Sequence, residues 1–178
     1  MYWRYSLLVI ADLLAGIINL ILAPVVVCFA NTAGWLPRWL WWFQTPGDSL
    51  FGSVGWQTKD RWFRAEDTAW KIWFNKVGWL YRNSTYGFAI DVLGAQAKPG
   101  DTLEVTGRKE TSNHKPITPG WVHYVLLREG KPVYFQFYIV APWLFGLYFR
   151  GNFGWKLWSY STTEKMQLTF SPNPFRKV

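Results

Sequence analysis

The sequence predicts an α+β fold whose N-terminus is held in a membrane, and three features predict it. Residues 5–30 form an apolar run whose only formal charge is Asp12, residues 61–82 carry apolar side chains at helical spacing, and from residue 102 onward short aromatic and β-branched runs alternate with turn residues. The expected architecture is an N-terminal transmembrane or re-entrant helix, then an amphipathic helix packed on an antiparallel β-meander of about five to seven strands. Three divisions follow: a membrane anchor over 1–34, an interfacial Trp-rich segment and linker over 35–60, and an α+β domain over 61–178.

The anchor is long enough to cross a bilayer, since about 20 apolar helical residues match roughly 30 Å of hydrocarbon. Within it Asp12, Gly16, Asn19 and Ala23 recur at spacings of four, three and four, which puts them on one side of a helix. A small, polar stripe of that kind faces protein or a wet crevice, because a carboxylate at mid-membrane costs several kcal/mol unless paired or protonated. Asp12, Gly16 and Asn19 are therefore candidate intramembrane contacts. The alternative for Asp12 is that it lies near enough to the headgroups to be wetted. Pro24 predicts a kink, or the bend of a hairpin that enters and leaves on one side. A cleaved signal peptide ranks lower, because the run is too long and 30–33 make an untidy cleavage site.

Of the 14 tryptophans, nine fall between Trp35 and Trp79, and the whole net charge of +8 arises after residue 30. Tryptophan favours the membrane–water boundary, where its ring is buried and its N–H stays wet. A basic surface seeks anionic partners, and anchor plus tryptophan favour lipid headgroups over nucleic acid, which is not expected. The alternative is a basic surface that serves solubility alone. The single cysteine, Cys28, excludes an internal disulfide.

Taken in order, Trp3 and Arg4 dress the first helix end at headgroup level. The segment 35–43, WLPRWLWWF, is too short to span and reads as an interfacial helix or turn, with Trp35, Arg38, Trp39, Trp41 and Trp42 at the membrane interface. Packing on the protein itself is the alternative. Residues 45–55 are a break rich in glycine, without the lysine and hydroxyl residue of a phosphate loop. The helix 61–82 could cover a sheet or dip into lipid. Short strands are expected at 89–93 and 102–106, and a long exposed loop at 107–119. Strands at 121–128 and 133–141 are joined by a turn at 129–132. Further strands at 145–149, 153–160 and 166–170 are separated by turns at 150–152 and 161–165. A turn at 171–174 ends the sheet and leaves a basic tail at 175–178.

Chemistry is sparse. His114 falls in a polar loop, and His123 in a strand where a hydrogen-bonded core histidine is the ordinary outcome. No nucleophile with a base, no carboxylate pair and no metal-ligand spacing stands out, so no catalytic residue, metal ligand or cofactor is expected.

Thr45, Pro46 and Asp48, then Arg82, Asn83, Tyr86 and Gly87, then Gly154 and Lys156 with the terminal 173–175, resemble a family of small uncharacterised membrane-associated proteins of tailed phages and prophages. The resemblance covers roughly residues 40–175. It implies a phage or prophage origin and a domain of unknown function, and it transfers no catalytic residue.

Two readings of function follow. The first is a non-enzymatic accessory protein at the host inner membrane, its domain weakly favoured on the cytoplasmic face. It would act through anionic lipid and a host or phage membrane protein, in the manner of envelope modification or superinfection exclusion, and copies could join through the anchor. The second is a β-barrel-like module or enzyme holding an apolar ligand or lipid, with His123 or Gln136 turned inward.

Overall fold

A computed structural model describes residues 1–176, so the last two residues of the expected basic tail lie outside the described residues. The protein is α+β: a long apolar N-terminal helix, a second helix, a five-stranded antiparallel sheet and a two-stranded sheet. Its elements gather into two compact units. Among the described residues one comprises 10–92, the other 1–9 with 93–176.

Helix α1 (Tyr2–Val26) continues through Pro24 into a 3₁₀ turn at Val27–Phe29, so the helical path is not broken at the proline itself. Residues 10–26 of α1 belong to the helical unit. Helix α2 (Ala69–Arg82) lies antiparallel beside them: the Trp73 Nε1–H donates to the Pro24 carbonyl at 3.1 Å, and the Asn19 amide donates to the Leu80 carbonyl, also at 3.1 Å. The core of this unit joins Ala23, Val26 and Val27 to Leu40, Phe43, Leu50, Trp56, Val77, Trp79 and Leu80. Gln44, 1 % exposed, ties the irregular segment together. Its Oε1 accepts the Leu36 N–H and its Nε2 donates to the Asp48 carbonyl, both at 2.8 Å.

Two expectations fail in this unit. The helix predicted over 61–82 starts only at Ala69, because the Asn75 side chain takes both backbone groups of Phe63, accepting its N–H at 2.9 Å and donating to its carbonyl at 2.8 Å. Backbone so occupied cannot enter the helical ladder. Residues 89–93, expected as a strand, fall mostly in a π-helical turn, Phe88–Val92.

The second unit is built on the sheet β2 (Thr102–Gly107), β3 (Gly120–Arg128), β4 (Lys131–Pro142), β5 (Tyr148–Trp155) and β7 (Leu168–Arg176), in the order β2-β3-β4-β5-β7. Strands β1 (Ala95–Gln96) and β6 (Lys165–Met166) form the small second sheet. The large sheet is open, with β2 and β7 as its edges, rather than closed into a barrel. Glu129 and Gly130, both at positive φ (52° and 72°), make the two-residue turn that matches the twist of the β3–β4 hairpin. The first turns of α1 are fixed to this unit through Tyr5, whose hydroxyl donates to the Thr169 carbonyl at 2.8 Å and whose ring meets Phe135 and Trp155 edge-on.

Here too the turn expectations need correction. Residues 150–152 lie inside β5, and the Ser171–Pro172–Asn173–Pro174 run lies inside β7. Both prolines are tolerated because β7 is an edge strand, where a missing N–H need not break a ladder on both sides. The strand expected over 153–160 ends at Trp155 and passes into a 3₁₀ turn, Leu157–Ser159.

Candidate membrane-contacting surface

Helix α1 has two contrasting faces. Tyr5, Val9, Ala15, Asn19, Ala23 and Val26 are buried, whereas Leu7, Ile10, Leu13, Leu14, Ile17, Ile18, Leu20, Ile21, Leu22 and Val25 are all between 42 % and 69 % exposed. Every exposed residue of α1 from Leu7 to Val25 is apolar. With its 3₁₀ extension the helix runs Tyr2–Phe29, 28 residues, and is long and apolar enough to cross a membrane. Ten exposed aliphatic side chains thus lie along one side of the helix, and the largest apolar patch on an ordinary water-soluble monomer is about 300–600 Å².

The opposite face carries the polar stripe, and the chain's own residues 80–85 occupy it. Asn19 binds the Leu80 carbonyl, a Cβ placed on Gly16 would sit 3.6 Å from both Ser84 Oγ and Thr85 Cγ2, and Asp12 is half-buried beside Thr85. The contact made by these three residues is thus within the chain. Its polar atoms are incompletely satisfied: Asp12 Oδ1, Asn19 Oδ1 and Ser84 Oγ are buried without a hydrogen-bond partner.

The aromatic residues expected at the membrane interface divide. Trp35, Arg38, Trp39 and Trp41 are exposed on or beside the 3₁₀ helix Arg38–Phe43, and Trp39 meets Phe29 at the end of α1 with ring centroids 5.4 Å apart. Trp42 instead turns inward, against Phe43 and Phe88. Trp3, 72 % exposed, and Arg4 border an open groove of about 300 Å³ in the sheet unit, with Arg128, Val133 and Tyr134. In α2, burial pushes the Lys76 ammonium below its ordinary value against the opposing pull of Glu66, and its Nζ sits 4.6 Å from the Phe51 ring centroid.

The motif residues are turns, caps and close approaches. The Asp48 N–H bonds the Thr45 carbonyl across Pro46 and Gly47, with Gly47 at φ 83°, which is a type II turn. Arg82 pairs with Asp60 at 2.7 Å. The Asn83 backbone N–H and side-chain amide both reach the Trp79 carbonyl at 3.1 Å, closing the end of α2, and the Tyr86 N–H returns to the Asn83 carbonyl. At Gly87 a Cβ would lie 2.3 Å from the Gln44 carbonyl oxygen, so two stretches of backbone touch there. Gly154 makes the same kind of approach to Phe135, and the Lys156 N–H bonds the Gln167 carbonyl.

His123 lies on β3 near the rings of Phe135 and Phe137, and Gln136, fully buried, donates to Asn152 Oδ1 and accepts the Trp158 N–H. Among the described residues no group of three or more His, Cys, Asp or Glu side chains is placed to hold a metal. One exposed apolar feature escaped sequence reasoning: Trp143, Leu144 and Phe145, at the β4–β5 connection, are 50 %, 63 % and 96 % exposed. Pro142 and Gly146 bracketing an uncharged apolar turn were the available signal.

The chain belongs to DUF7338, a family of unknown function. Its model matches residues 1–178, so the DUF7338 match takes in the apolar helix as well as the sheet unit. No curated protein and no solved structure matches the chain.

Proposed function

We propose that this DUF7338 protein is a membrane-held accessory protein that acts through contacts with lipid and with a membrane protein rather than by catalysing a reaction. The observation that carries the reading is the two-faced α1, whose outer arc offers lipid an unbroken aliphatic surface while its inner arc is taken up by the chain itself. The phage-family resemblance supports the host inner membrane as the site of action in this reading, with envelope modification or exclusion of other phages as the kind of role. The charge of +8 favours the anionic cytoplasmic leaflet.

The helical unit further favours a helix lying in the plane of one leaflet. Trp73 meets Pro24 and Leu80 meets Asn19, so α2 shares the depth of α1 in any upright pose. Lys71, Lys76 and Arg82 would then enter hydrocarbon at about 2.5–3.5 kcal/mol each at the centre. Laid flat, α1 immerses its outer arc while those cations stay at the headgroups.

The test is fractionation of cells expressing the full chain, followed by labelling of single cysteines at Arg4→Cys and Thr32→Cys in a Cys28→Ser background with an impermeant maleimide. Membrane recovery with both sites labelled from the same side is expected. Recovery in the soluble fraction would overturn the membrane reading, and labelling from opposite sides would replace the in-plane pose with a crossing one.

A further inference from the structure

We infer that the tip of the β4–β5 hairpin, Trp143–Leu144–Phe145, is a second lipid-inserting element, a wedge that enters the headgroup and upper acyl region of an anionic leaflet. This rests on the membrane reading but on none of the residues of α1. The connection is a closed turn, with the Trp143 N–H bonded to the Leu147 carbonyl at 2.7 Å and the Leu147 N–H to the Leu144 carbonyl at 3.1 Å. Held this way, the turn presents Leu144 and Phe145 outward, and Phe145 is 96 % exposed. Phe145 also sits in the left-handed region (φ 58°, ψ 34°), which glycine or asparagine occupies at less cost and which is a genuine outlier for a bulky residue. A turn whose only task was to reverse the chain in water would favour a small polar residue at that position.

Three observations point to lipid as the occupant. Residues 133–149 contain no charged side chain, so nothing at the tip resists leaving water, while the chain as a whole carries +8. The side chains are graded for an interface, with a half-exposed indole at the base, 6.0 Å from the Phe149 ring, and a phenyl and an isobutyl group beyond it. The tip also continues an apolar face of the sheet that is partly exposed, most at Phe170. Register pairs Phe137 with Phe153 and Phe153 with Phe170 across three neighbouring strands on that face.

The test uses the full chain in a Cys28→Ser background, reconstituted with vesicles of phosphatidylglycerol and phosphatidylethanolamine, and an environment-sensitive fluorophore attached at Phe145→Cys. Glu129→Cys, in the turn at the other end of β4, is the reference position. The expected result is a blue-shifted emission at 145, quenched by lipids spin-labelled high on the acyl chain and unchanged at 129. The Leu144→Ser/Phe145→Ser variant should unfold at the same temperature as the parent and weaken vesicle partition of detergent-dispersed protein by about tenfold or more. A probe at 145 that stays aqueous while the protein floats with the vesicles would overturn the wedge and leave α1 as sole anchor. A probe at 145 equally shielded without lipid would also overturn it, marking a protein contact instead. A chain that does not float at all would overturn wedge and membrane reading together.

Discussion

The Asn19 side-chain amide donates to the carbonyl of Leu80 at 3.1 Å, with Asn19 only 1 % exposed. Leu80 lies in the last turn of α2, where carbonyls have no partner within the helix. A polar residue in the midst of the apolar N-terminal run thus completes the hydrogen bonding of a helix 61 residues away in sequence.

Asn19→Ala should therefore destabilise the helical unit by about 1–3 kcal/mol, since it strands a buried carbonyl and opens a small void. Asn19→Leu restores volume but not the donor, so it should recover only part of the loss. Equilibrium unfolding in mild detergent checks both. Stability unchanged in Asn19→Ala would mean that the bond contributes nothing net.

Gly87 and Gly47 should respond differently to alanine. At Gly87 the new Cβ would come within 2.3 Å and 2.8 Å of the Gln44 and Trp42 carbonyl oxygens, which are backbone and cannot swing aside. Overpacking of that kind should cost about 3 kcal/mol. At Gly47 nothing lies within 4 Å, so only the positive φ of 83° is strained, at about 1–2 kcal/mol. Thermal unfolding of the two variants should rank them in that order.

Much of this was legible because the signal was local. The spacing of Asp12, Gly16, Asn19 and Ala23 fixes a helix face whatever lies against it, and Glu129–Gly130 encodes its own turn. The errors came where distant neighbours decide. Arg150–Gly151–Asn152 has the composition of a turn, yet Gly151 is strand because it pairs with Ile139 of β4 on one side and Pro172 of β7 on the other, and a Cβ there would meet Phe149 and Phe153 of its own strand and Ile139 across it at 2.6–3.0 Å. Trp62 and Phe63 continue the apolar spacing of α2, but the partner that holds Phe63 out of the helix is Asn75, which no periodicity marks. The motif residues were visible as a set, while their roles as caps and contacts required the packed chain.

In the sheet unit, Arg128 grips Asp101 with two bonds, from Nε at 3.0 Å and Nη2 at 2.8 Å, and the Asp101 side chain is 2 % exposed. The guanidinium, chiefly through these hydrogen bonds, holds the Asp101 carboxyl below its ordinary value. A carboxylate depressed in the folded state adds stability that is fully present above its unfolded value of about 3.9 and is lost as pH falls from there through the folded value. Unfolding of the wild type should thus become easier below about pH 4. Asp101→Asn should be less stable at pH 7 and should lose less on acidification. Parallel pH profiles for the two proteins would exclude this pair as the acid-sensitive element.

The two faces of α1 should separate folding from membrane binding. Leu14 and Ile21 are 56 % and 69 % exposed and point away from the core, so Leu14→Glu/Ile21→Glu should leave the fold nearly as stable as before. In lipid the same pair would carry two carboxylates into the apolar layer, at about 2.5–3.5 kcal/mol each if they reach its centre and less if they stay shallow. Partition into membranes should then fall by at least about a hundredfold. Ala23→Glu, on the opposite face and 0 % exposed, should do the reverse, unfolding the helical unit by burying an unpaired charge. Flotation and unfolding measured on both variants decide the matter. If Leu14→Glu/Ile21→Glu still floats with membranes as the wild type does, the outer arc of α1 is not the surface that meets lipid.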